Sequence, residues 1–477
     1  TYKKAFLGTD AVDYLVTQGI VTTTEEAVTV GNLMMEAGAF HHVTDERAFK
    51  NAPLYYRFAA DEPSHGKKRV DDTGAAVSWA SLGAALWPGG SPDSAGTGGA
   101  GGTGASANLQ SAAGAARRDA DLQLSVLAEE IGVSPLDAFN VDLLDNVHPA
   151  AWQDPPGDGV YNLVVLGAGS GGLVTAAGAA GVGARVALIE SHLLGGDCLN
   201  VGCVPSKALI RAASVAHTVR NAAAFGVSVG GEVKVDFGKV MERLRRLRAG
   251  ISHHDSAQRF AEELGVDVFI GCGTFTGRNT ISVNGKTLTF KKAVVATGGT
   301  PALPPVPGLK EAPYLTNQSI FNLTELPPRL VVVGGGPIGL ELAQAMRRFG
   351  SDVTVLVRSQ LLPKEDPDAA AVLRAALEAD GVKIVEHVAM KAITHQLATA
   401  GFPTIRVAVT AEGEEVVYEC EALLVATGRK PNVAGLGLEA AGVEFDDSKG
   451  VAISDTLQTT NASIYAVGDC CTPYQVT

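Results

Sequence analysis

The sequence predicts an α/β protein built on two doubly wound, Rossmann-like domains for dinucleotides, preceded by a small helical module and a flexible linker. Three observations lead to this prediction. A glycine-rich turn between an apolar strand and a helix occurs twice, two cysteines follow the first turn, and a segment dominated by glycine, alanine and serine precedes both turns. Strands that are buried in a parallel sheet read as continuous apolar runs, and the strands beside both turns have this character.

The composition is that of a globular protein and excludes some functions. Hydrophobic residues make up 46% of the 477 residues, which suffices for large cores. A net charge of −13 argues against a nucleic-acid partner, which would need a basic face. Six cysteines are too few for a secreted disulfide scaffold, and no signal peptide follows Thr1. We therefore expect an intracellular, cytoplasmic protein, and organelle targeting stays open because the first residue is not methionine.

Residues 1–60 are expected to form a separate module. Apolar residues recur at helical spacing in two stretches, and alternating aromatics at 54–58 suggest a closing strand. His41 and His42 have no second ligand pair, so we expect no metal site. The motifs that give the module a resemblance to a DEP domain lie at residues 6–15, 26–28, 31, 40–43 and 55–58. That resemblance implies a helical, winged-helix-like fold that docks onto a protein partner or a membrane surface in signalling.

Two connecting segments follow the module. Residues 61–118 form a linker that cannot bury enough apolar surface to offset its ordering entropy, so we expect it to be flexible and disordered. Residues 119–159 form a short helical lead-in, because residues 121–144 regain helical spacing through Leu122, Val126, Leu127 and Ile131. The proline- and glycine-containing sequence at 154–157 marks the next boundary.

The first dinucleotide-binding domain begins with residues 160–325. A buried apolar strand leads into a turn with Gly167, Gly169 and Gly172, and an alanine-rich helix follows. The glycines let the backbone approach a pyrophosphate at the helix N-terminus, where free N–H groups and the helix dipole favour anions. Glu190 ends the next strand, where its carboxylate can accept hydrogen bonds from both ribose hydroxyls.

The same arrangement recurs in residues 326–420, which we expect to form the NAD(P)H-binding domain. Its glycines are Gly334, Gly336 and Gly339. Val357 stands where Glu190 stands in the first copy, and Arg358 follows it. A 2′-phosphate would be repelled by a carboxylate and attracted by a guanidinium at this place. The second site is therefore predicted to prefer NADPH to NADH, and the first to hold FAD.

Three shorter motifs support the pairing of the two domains. One apolar strand ends in Thr297 and Gly298, and another ends before Gly428, which suits a chain that returns beside a nucleotide. A third strand delivers Asp469, which we expect to bind a sugar-alcohol chain. Residues 421–477 are therefore expected to be the second part of the FAD-binding domain.

Cys198 and Cys203 allow three interpretations: half of a zinc site, buried core cysteines, or a redox disulfide. No matching second pair stands nearby for zinc. At about 100° per residue, the two side chains would point about 140° apart on a straight helix, too far round to bond easily. Cys198 is therefore expected in a loop or a distorted first turn, which Gly195, Gly196 and Gly202 would allow. Thiols at a helix N-terminus are expected to have a lowered pKa.

From about residue 160 onward, the chain resembles a class I pyridine nucleotide-disulfide oxidoreductase, the family of glutathione reductase, dihydrolipoyl dehydrogenase and mercuric reductase. The resemblance implies that Cys198 is the interchange thiol that meets the substrate and that Cys203 contacts the flavin. Lys207 matches the lysine near flavin N5, and Glu341 matches its ion-pair partner. The residues expected to bind FAD and NADPH are Gly167, Gly169, Gly172, Glu190, Gly196, Asp197, Lys207, Thr297, Gly298, Asp469, Gly334, Gly336, Gly339, Arg358 and Gly428.

Among the branches of this family, mercuric reductase is the most similar, because Val357 stands where the dihydrolipoyl enzymes usually have an acidic residue. The resemblance implies that hydride passes from NADPH through FAD to a Cys198–Cys203 disulfide, which then reduces Hg(II) or a thiol/disulfide acceptor. Two alternatives stay open. One is a dihydrolipoyl dehydrogenase-like enzyme, and the other is a redox-sensing signalling protein that docks through its DEP-like module and turns over poorly.

The family pattern continues past the FAD aspartate into a dimerisation domain with a His-Glu acid–base pair for the other subunit's site. We expect that domain to be absent from a chain that ends at Thr477. The resemblance implies a homodimer for the full-length protein. Cys470 and Cys471 follow the FAD aspartate directly, and we expect them to be structural.

Overall fold

The computed structural model describes residues 5–7, 16, 23–24, 27–29, 40–42, 55–58, 122–398, 401–473 and 475. They belong to two compact units, Thr1–Gly101 and Gly102–Thr477. The linker expected at 61–118 lies outside the described residues.

The first unit contains a small antiparallel sheet. Its strands are β1 (Ala5–Leu7), β2 (Phe40–His42) and β3 (Tyr55–Phe58). They pair in the order β1-β3-β2, so the aromatic strand expected near the end of the module is confirmed and lies in the centre of the sheet. Residues 27–29 are helical, and Ala27 is fully buried. Most of the two helical stretches that the sequence predicts in this module lies outside the described residues.

The second unit alternates helices with strands. Its described α-helices are α1 (122–131), α2 (Ala138–Val147), α3 (Ser170–Gly181), α4 (Gly196–Asn200), α5 (Cys203–Arg220), α6 (Phe237–Ser252), α7 (Pro337–Phe349), α8 (Pro367–Ala379) and α9 (Leu438–Ala441). Short 3₁₀ turns lie at Ala222–Phe225, His253–Asp255 and Ile320–Asn322, and a π-helical turn at Arg259–Glu263. Within the ranges that the structure describes, none of the helices is long and apolar enough to cross a membrane.

The strands of the second unit are β4 (Val160–Leu166), β5 (Val186–Glu190), β6 (Asp267–Ile270), β7 (Thr274–Gly277), β8 (Thr280–Val283), β9 (Lys286–Val295), β10 (Gly299–Pro301), β11 (Tyr314–Leu315), β12 (Arg329–Val333), β13 (Asp352–Leu356), β14 (Lys383–Val385), β15 (Ala389–Gln396), β16 (Thr404–Ala411), β17 (Glu414–Cys420), β18 (Ala422–Val425), β19 (Arg429–Pro431), β20 (Phe445–Asp446), β21 (Gly450–Val451) and β22 (Ile464–Ala466).

The first large sheet has the strand order β6-β5-β4-β9-β8-β7, and β22 also pairs with β9. Its central pairs are parallel, whereas β8 pairs antiparallel with both β7 and β9. Along β4, Val164 joins one hydrophobic core and Val165 joins the core on the other face. Burial on both faces explains why this strand is a continuous apolar run in the sequence.

The second large sheet is parallel throughout, in the order β11-β18-β12-β13-β14. A separate antiparallel sheet, β15-β16-β17, follows β14 in the chain. The chain returns from this part to the first sheet through β22, which is parallel to β9. The predicted α/β class with two doubly wound sheets is therefore confirmed.

The helix α5 is packed between the two large sheets. Leu209 of α5, Met241 of α6 and Leu342 of α7 belong to one buried cluster that also contains residues of β12 and β13. The first turns of α5, which carry the second cysteine, are therefore held against the domain that is expected to bind NADPH. Val204, also in α5, packs against a second buried cluster that contains residues of β4 and β5, so the helix contacts the cores beside both sheets.

The lead-in is attached to the rest of the second unit by two buried arginines of α6. Arg248 donates hydrogen bonds to Asn140 Oδ1 at 2.6 Å and to the backbone oxygen of Asn200 at 2.8 Å. Arg245 pairs with Asp137 at 2.6 Å, and Asp137 caps α2. Residues 119–159 contain two helices, α1 and α2, and Arg248 of α6 connects α2 with α4, which carries the first cysteine.

Candidate functional site

The first glycine-rich turn brings the backbone so close to its neighbours that side chains are excluded. A Cβ atom on Gly167 would lie 2.3 Å from the oxygen of Ala296, and one on Gly172 would lie 1.8 Å from the oxygen of Gly167. Gly167 also has a φ of +104°, which favours glycine. Gly169 precedes α3, so the free N–H groups at the start of this helix face the turn. The geometry is that of an anion-binding turn.

We expect Gly172→Ala to destabilise the fold and to weaken flavin retention. The methyl group would overlap the oxygen of Gly167, and forced overpacking of this kind costs about 1–3 kcal/mol. The matched control is Gly178→Ala in the same helix, because Gly178 is exposed and a Cβ there meets nothing within 4 Å. Denaturant unfolding and the FAD content of the purified proteins measure both effects. Equal stability of the two variants would contradict this explanation of the turn.

Glu190 lies at the end of β5 and is buried beside the turn. Its Oε2 accepts a hydrogen bond from the backbone N–H of Ala168 at 2.6 Å, and its Oε1 accepts one from His192 at 2.8 Å. Burial raises the pKa of this carboxyl group, against the opposing effect of the backbone N–H groups. The backbone N–H of Ser191 also acts on this carboxylate, and since its two oxygens have about four lone pairs between them, at least one stays available for a ligand. Its role as a ribose ligand stays a prediction.

The two cysteines lie on either side of a helix break. Cys198 is in the short helix α4, and α5 begins at Cys203. Val201 and Gly202 adopt non-helical backbone angles between the two helices. The break removes the angular separation that a straight helix would impose, and both cysteines line the same cavity. The expected distortion is confirmed, but it takes the form of a separate short helix.

The redox segment is also built onto the nucleotide turn. Gly195 and Gly196 have positive φ values of +87° and +55°. A Cβ atom on Gly196 would lie 2.6 Å from the Cα atom of Gly169. The backbone of α4 therefore approaches the first glycine-rich turn more closely than a side chain would permit. Since α4 carries Cys198, this contact sets the cysteine beside the expected binding site of the diphosphate.

The side chains of Cys198 and Cys203 are both free thiols. Burial raises the pKa of Cys198 to about 11, and the neighbouring Cys203 thiol adds to this rise, while the Ser170 hydroxyl opposes it. The expectation of a lowered pKa at this position is therefore wrong for Cys198, because desolvation and the second thiol outweigh the helix dipole. Within the described ranges, no group of three or more histidine, cysteine, aspartate or glutamate side chains is arranged to hold a metal ion.

Lys207 lies one helical turn after Cys203, on the same side of α5. Its Nζ is 2.9 Å from Oε2 and 3.0 Å from Oε1 of Glu341, which is in α7. The ion pair joins the two domains, and both side chains remain partly exposed. The structure thus brings together the lysine and the glutamate that the sequence pairs, while their roles stay predictions.

Asp469 and Asp197 share one cation that the sequence prediction did not include. Arg429 Nε is 3.0 Å from Asp469 Oδ2, its Nη2 pairs with Asp197 Oδ2, and the same nitrogen donates to the oxygen of Gly299 at 2.8 Å. Burial raises the pKa of Asp469, and Arg429 opposes this rise. The available signal was the position of Arg429 directly after Gly428, but nothing in the sequence indicates which carboxylates it meets.

Two Thr-Gly pairs, Thr297–Gly298 and Thr427–Gly428, directly precede β10 and β19. They lie beside each other because β10 pairs antiparallel with β19. Thr297 Oγ1 donates a hydrogen bond to the oxygen of Asn432 at 2.6 Å. Gly298 and Gly428 have φ values of +68° and +139°, which explains the glycines at these places. The segments in which the chain passes between the two domains are thus close to the first glycine-rich turn.

The second glycine-rich turn has the same geometry as the first. A Cβ atom on Gly334 would lie 2.2 Å from the oxygen of Ala426, and one on Gly339 would lie 2.8 Å from the oxygen of Gly334. Gly336 precedes α7, which starts at a proline. Val357, just past the end of β13, is buried, whereas Arg358 is exposed.

One cavity of about 1360 Å³ is lined by most of the residues that are expected to bind FAD and by both redox cysteines. Those residues are Gly167, Gly169, Glu190, Gly196, Asp197, Cys198, Cys203, Thr297, Gly298 and Asp469. The cavity combines an anion-binding turn, a carboxylate with free lone pairs and a thiol pair, so the residues fit an FAD molecule. The second turn does not line this cavity.

Comparisons with known proteins agree with this geometry. Residues 161–477 match the family described as "Pyridine nucleotide-disulphide oxidoreductase", and residues 1–58 match the "Domain found in Dishevelled, Egl-10, and Pleckstrin (DEP)". The chain is 35% identical to a mercuric reductase of Bacillus cereus over 343 residues, which are 72% of this chain and 52% of that protein. It is 34% identical to a dihydrolipoyl dehydrogenase of Acholeplasma laidlawii over 318 residues, which are 65% of this chain and 89% of that protein.

The solved structure of the HOCl-induced flavoprotein disulfide reductase RclA from Escherichia coli is similar to this chain with a TM-score of 0.55 and 30% identity, over 65% of this chain and 66% of that one. The chain spans about half the length of the mercuric reductases that it matches. Flavoproteins of the matched family use FAD and NAD(P)H, are typically homodimeric and act on small molecules. Since its family match covers residues 161–477, the chain belongs to the pyridine nucleotide-disulphide oxidoreductase family and uses FAD and NAD(P)H.

Proposed function

We propose that this chain is the electron-transferring part of an NADPH- and FAD-dependent reductase in which Cys198 and Cys203 pass electrons to the acceptor. The observation that carries the proposal is that Cys198 and Cys203, on either side of the break between α4 and α5, line the same cavity as the first glycine-rich turn. A dithiol in this position has access to a bound flavin and to a second molecule that enters the cavity.

Bound FAD would accept a hydride from the nicotinamide nucleotide and supply two electrons to the disulfide. Gly167 and the start of α3 would bind the diphosphate, and Glu190 would accept hydrogen bonds from the ribose. Lys207 would hold a positive charge near the flavin, and Glu341 would fix its ammonium group.

The cysteines complete the transfer in balanced steps. Two electrons and two protons open the Cys198–Cys203 disulfide to a dithiol. The Cys198 thiolate then attacks one sulfur of a disulfide substrate, which releases the first thiol and leaves a mixed disulfide on Cys198. Cys203 attacks the Cys198 sulfur of this mixed disulfide, so that the second thiol leaves and the protein disulfide forms again. Because the pKa of Cys198 is raised to about 11, the attack needs a base that removes its proton near neutral pH.

We propose Hg(II) or a small disulfide as the acceptor. The match to mercuric reductases supports Hg(II), which thiolates bind well. A dihydrolipoyl dehydrogenase-like activity is the second candidate, supported by the match that covers 89% of such an enzyme. A third candidate is a redox sensor that docks through the DEP domain and turns over slowly. We also propose that the full-length protein is a cytoplasmic homodimer and that its DEP domain binds a protein or a membrane surface.

An anaerobic titration with NADPH tests the proposal. We expect the purified protein to contain FAD and to develop a long-wavelength thiolate–flavin absorbance band when NADPH is added. Oxidation of NADPH is then followed with Hg(II), with a small disulfide and with lipoamide. Sustained oxidation identifies the acceptor, whereas a single stoichiometric reduction favours the sensor. A protein that binds no FAD, or whose flavin NADPH does not reduce, would refute the reductase.

A further inference from the structure

Arg429 joins three segments that surround the FAD-type cavity. It begins β19, pairs with Asp197 in α4 and with Asp469 after β22, and donates to the oxygen of Gly299 in β10. Asp197 and Asp469 are far apart in the sequence and lie on different elements. A single side chain therefore fixes the distance between the segment that carries Cys198 and the segment that ends the first sheet.

The energetics of this side chain depend on its carboxylate partners. Arg429 is only 6% exposed, and among the described residues its buried Nη1 has no hydrogen-bond acceptor. Burial of a guanidinium is costly unless nearby anions and acceptors compensate for the lost water. Here the compensation comes from the carboxylates of Asp197 and Asp469 and from the oxygen of Gly299.

The two carboxylates also depend on Arg429. Asp197 and Asp469 are two carboxylates that share one guanidinium, and both line the cavity. The negative charge of Asp197 contributes to the raised pKa of Asp469, so the two carboxylates repel each other. An incoming diphosphate would add further negative charge at the nearby turn of Gly169, on which the α4 backbone packs.

We propose that Arg429 is a positioning residue of the FAD site, which neutralises Asp197 and holds Asp469 so that the cavity accepts an anionic dinucleotide. The inference rests on the proposed function in that FAD is the ligand. Arg429 acts through the two carboxylates, and its loss leaves both of them uncompensated in the cavity that would receive the anionic dinucleotide.

A double-mutant cycle on the holoprotein tests this role. FAD affinity is measured from the rise in flavin fluorescence as FAD dissociates on dilution. We expect Arg429→Met to raise the Kd for FAD at least about tenfold in the wild-type background. In the Asp197→Asn background the same substitution should raise it by no more than about threefold, because the repelling carboxylate is gone. The control is Arg406→Met, since Arg406 pairs with Glu419 on an exposed strand.

A purely structural role for Arg429 would give the same factor in both backgrounds, and that result would overturn the inference. Should Arg429→Met fail to fold, Arg429→Lys replaces it in the cycle, because lysine keeps the charge without the two-sided contact. A smaller increase in the Kd for the lysine variant in the Asp197→Asn background than in the wild-type background supports the inference, and equal increases refute it. A wild-type protein without FAD would refute the proposed function itself, whereas an additive cycle on FAD-containing protein refutes only the role of Arg429.

Discussion

Replacing either redox cysteine with serine is expected to reduce NADPH-dependent turnover at least about 10³-fold, which corresponds to about 4 kcal/mol of lost transition-state stabilisation. A hydroxyl group cannot form the disulfide that receives the electrons. The two variants should differ in their spectra, since the resemblance places Cys203 at the flavin and Cys198 towards the substrate. Cys203→Ser should lack the long-wavelength band on reduction, and Cys198→Ser should retain it. Steady-state rates and anaerobic spectra measure both properties.

The matched control for this pair is Cys272→Ser. Cys272 is an exposed thiol on the loop between β6 and β7 and also lines the cavity, but the proposed electron transfer does not use it, so its replacement should leave turnover within about twofold. Retention of most of the turnover by Cys198→Ser would show that the thiol pair does not carry the electrons. Identical spectra for the two redox variants would contradict the division of roles between the cysteines.

The glycine-rich turns show why much of the site could be predicted from the sequence. Gly167 and Gly334 are required because the backbone of the neighbouring strand lies within 2.3 Å and 2.2 Å of the position of a Cβ atom. This steric requirement comes from the local backbone alone, so glycine occurs at the same place in both glycine-rich turns. The apolar runs of β4 and β12 are equally local signals, because strands buried on both faces need apolar residues throughout.

The pKa of Cys198 could not be predicted in this way. The helix N-terminus is visible in the sequence and lowers a thiol pKa. The burial of the thiol and its contact with Cys203 depend on how the chain turns at Val201 and Gly202, and these two effects prevail. The sequence therefore indicated two cysteines that the structure places in one cavity, but it indicated the wrong direction for the pKa shift of Cys198.

Long-range polar contacts were also beyond the sequence. Arg429 meets Asp197 and Asp469, and Arg248 meets Asn140 and the backbone of the cysteine-bearing helix. Periodicity reports which face of an element is buried, but it does not show which charged group will be buried with a partner from a distant segment. The lead-in therefore looked like a connector, although α2 is attached to the core of the second unit.

Replacing Arg358 with glutamate is expected to lower kcat/KM for NADPH by about 10²- to 10³-fold, while kcat/KM for NADH stays within about threefold. The second site has a buried apolar residue, Val357, where the first site has Glu190, and the exposed guanidinium of Arg358 comes next. A glutamate at this place would replace attraction by repulsion towards the 2′-phosphate, a group that NADH lacks. The ratio of the two kcat/KM values isolates this charge effect from any general damage to the site.

The control for this substitution is Lys291→Glu, which makes the same reversal of charge at an exposed position of β9, in the first large sheet, whereas Arg358 follows β13 of the second. It should leave the ratio unchanged, because a charge far from the nucleotide acts on NADPH only through solvent and salt. An equal loss with both nucleotides in Arg358→Glu would mean that the arginine supports the fold of the site and does not read the phosphate. The preference for NADPH would then have to come from other residues around the second glycine-rich turn, and the absence of an acid at Val357 would explain only why NADH is not favoured.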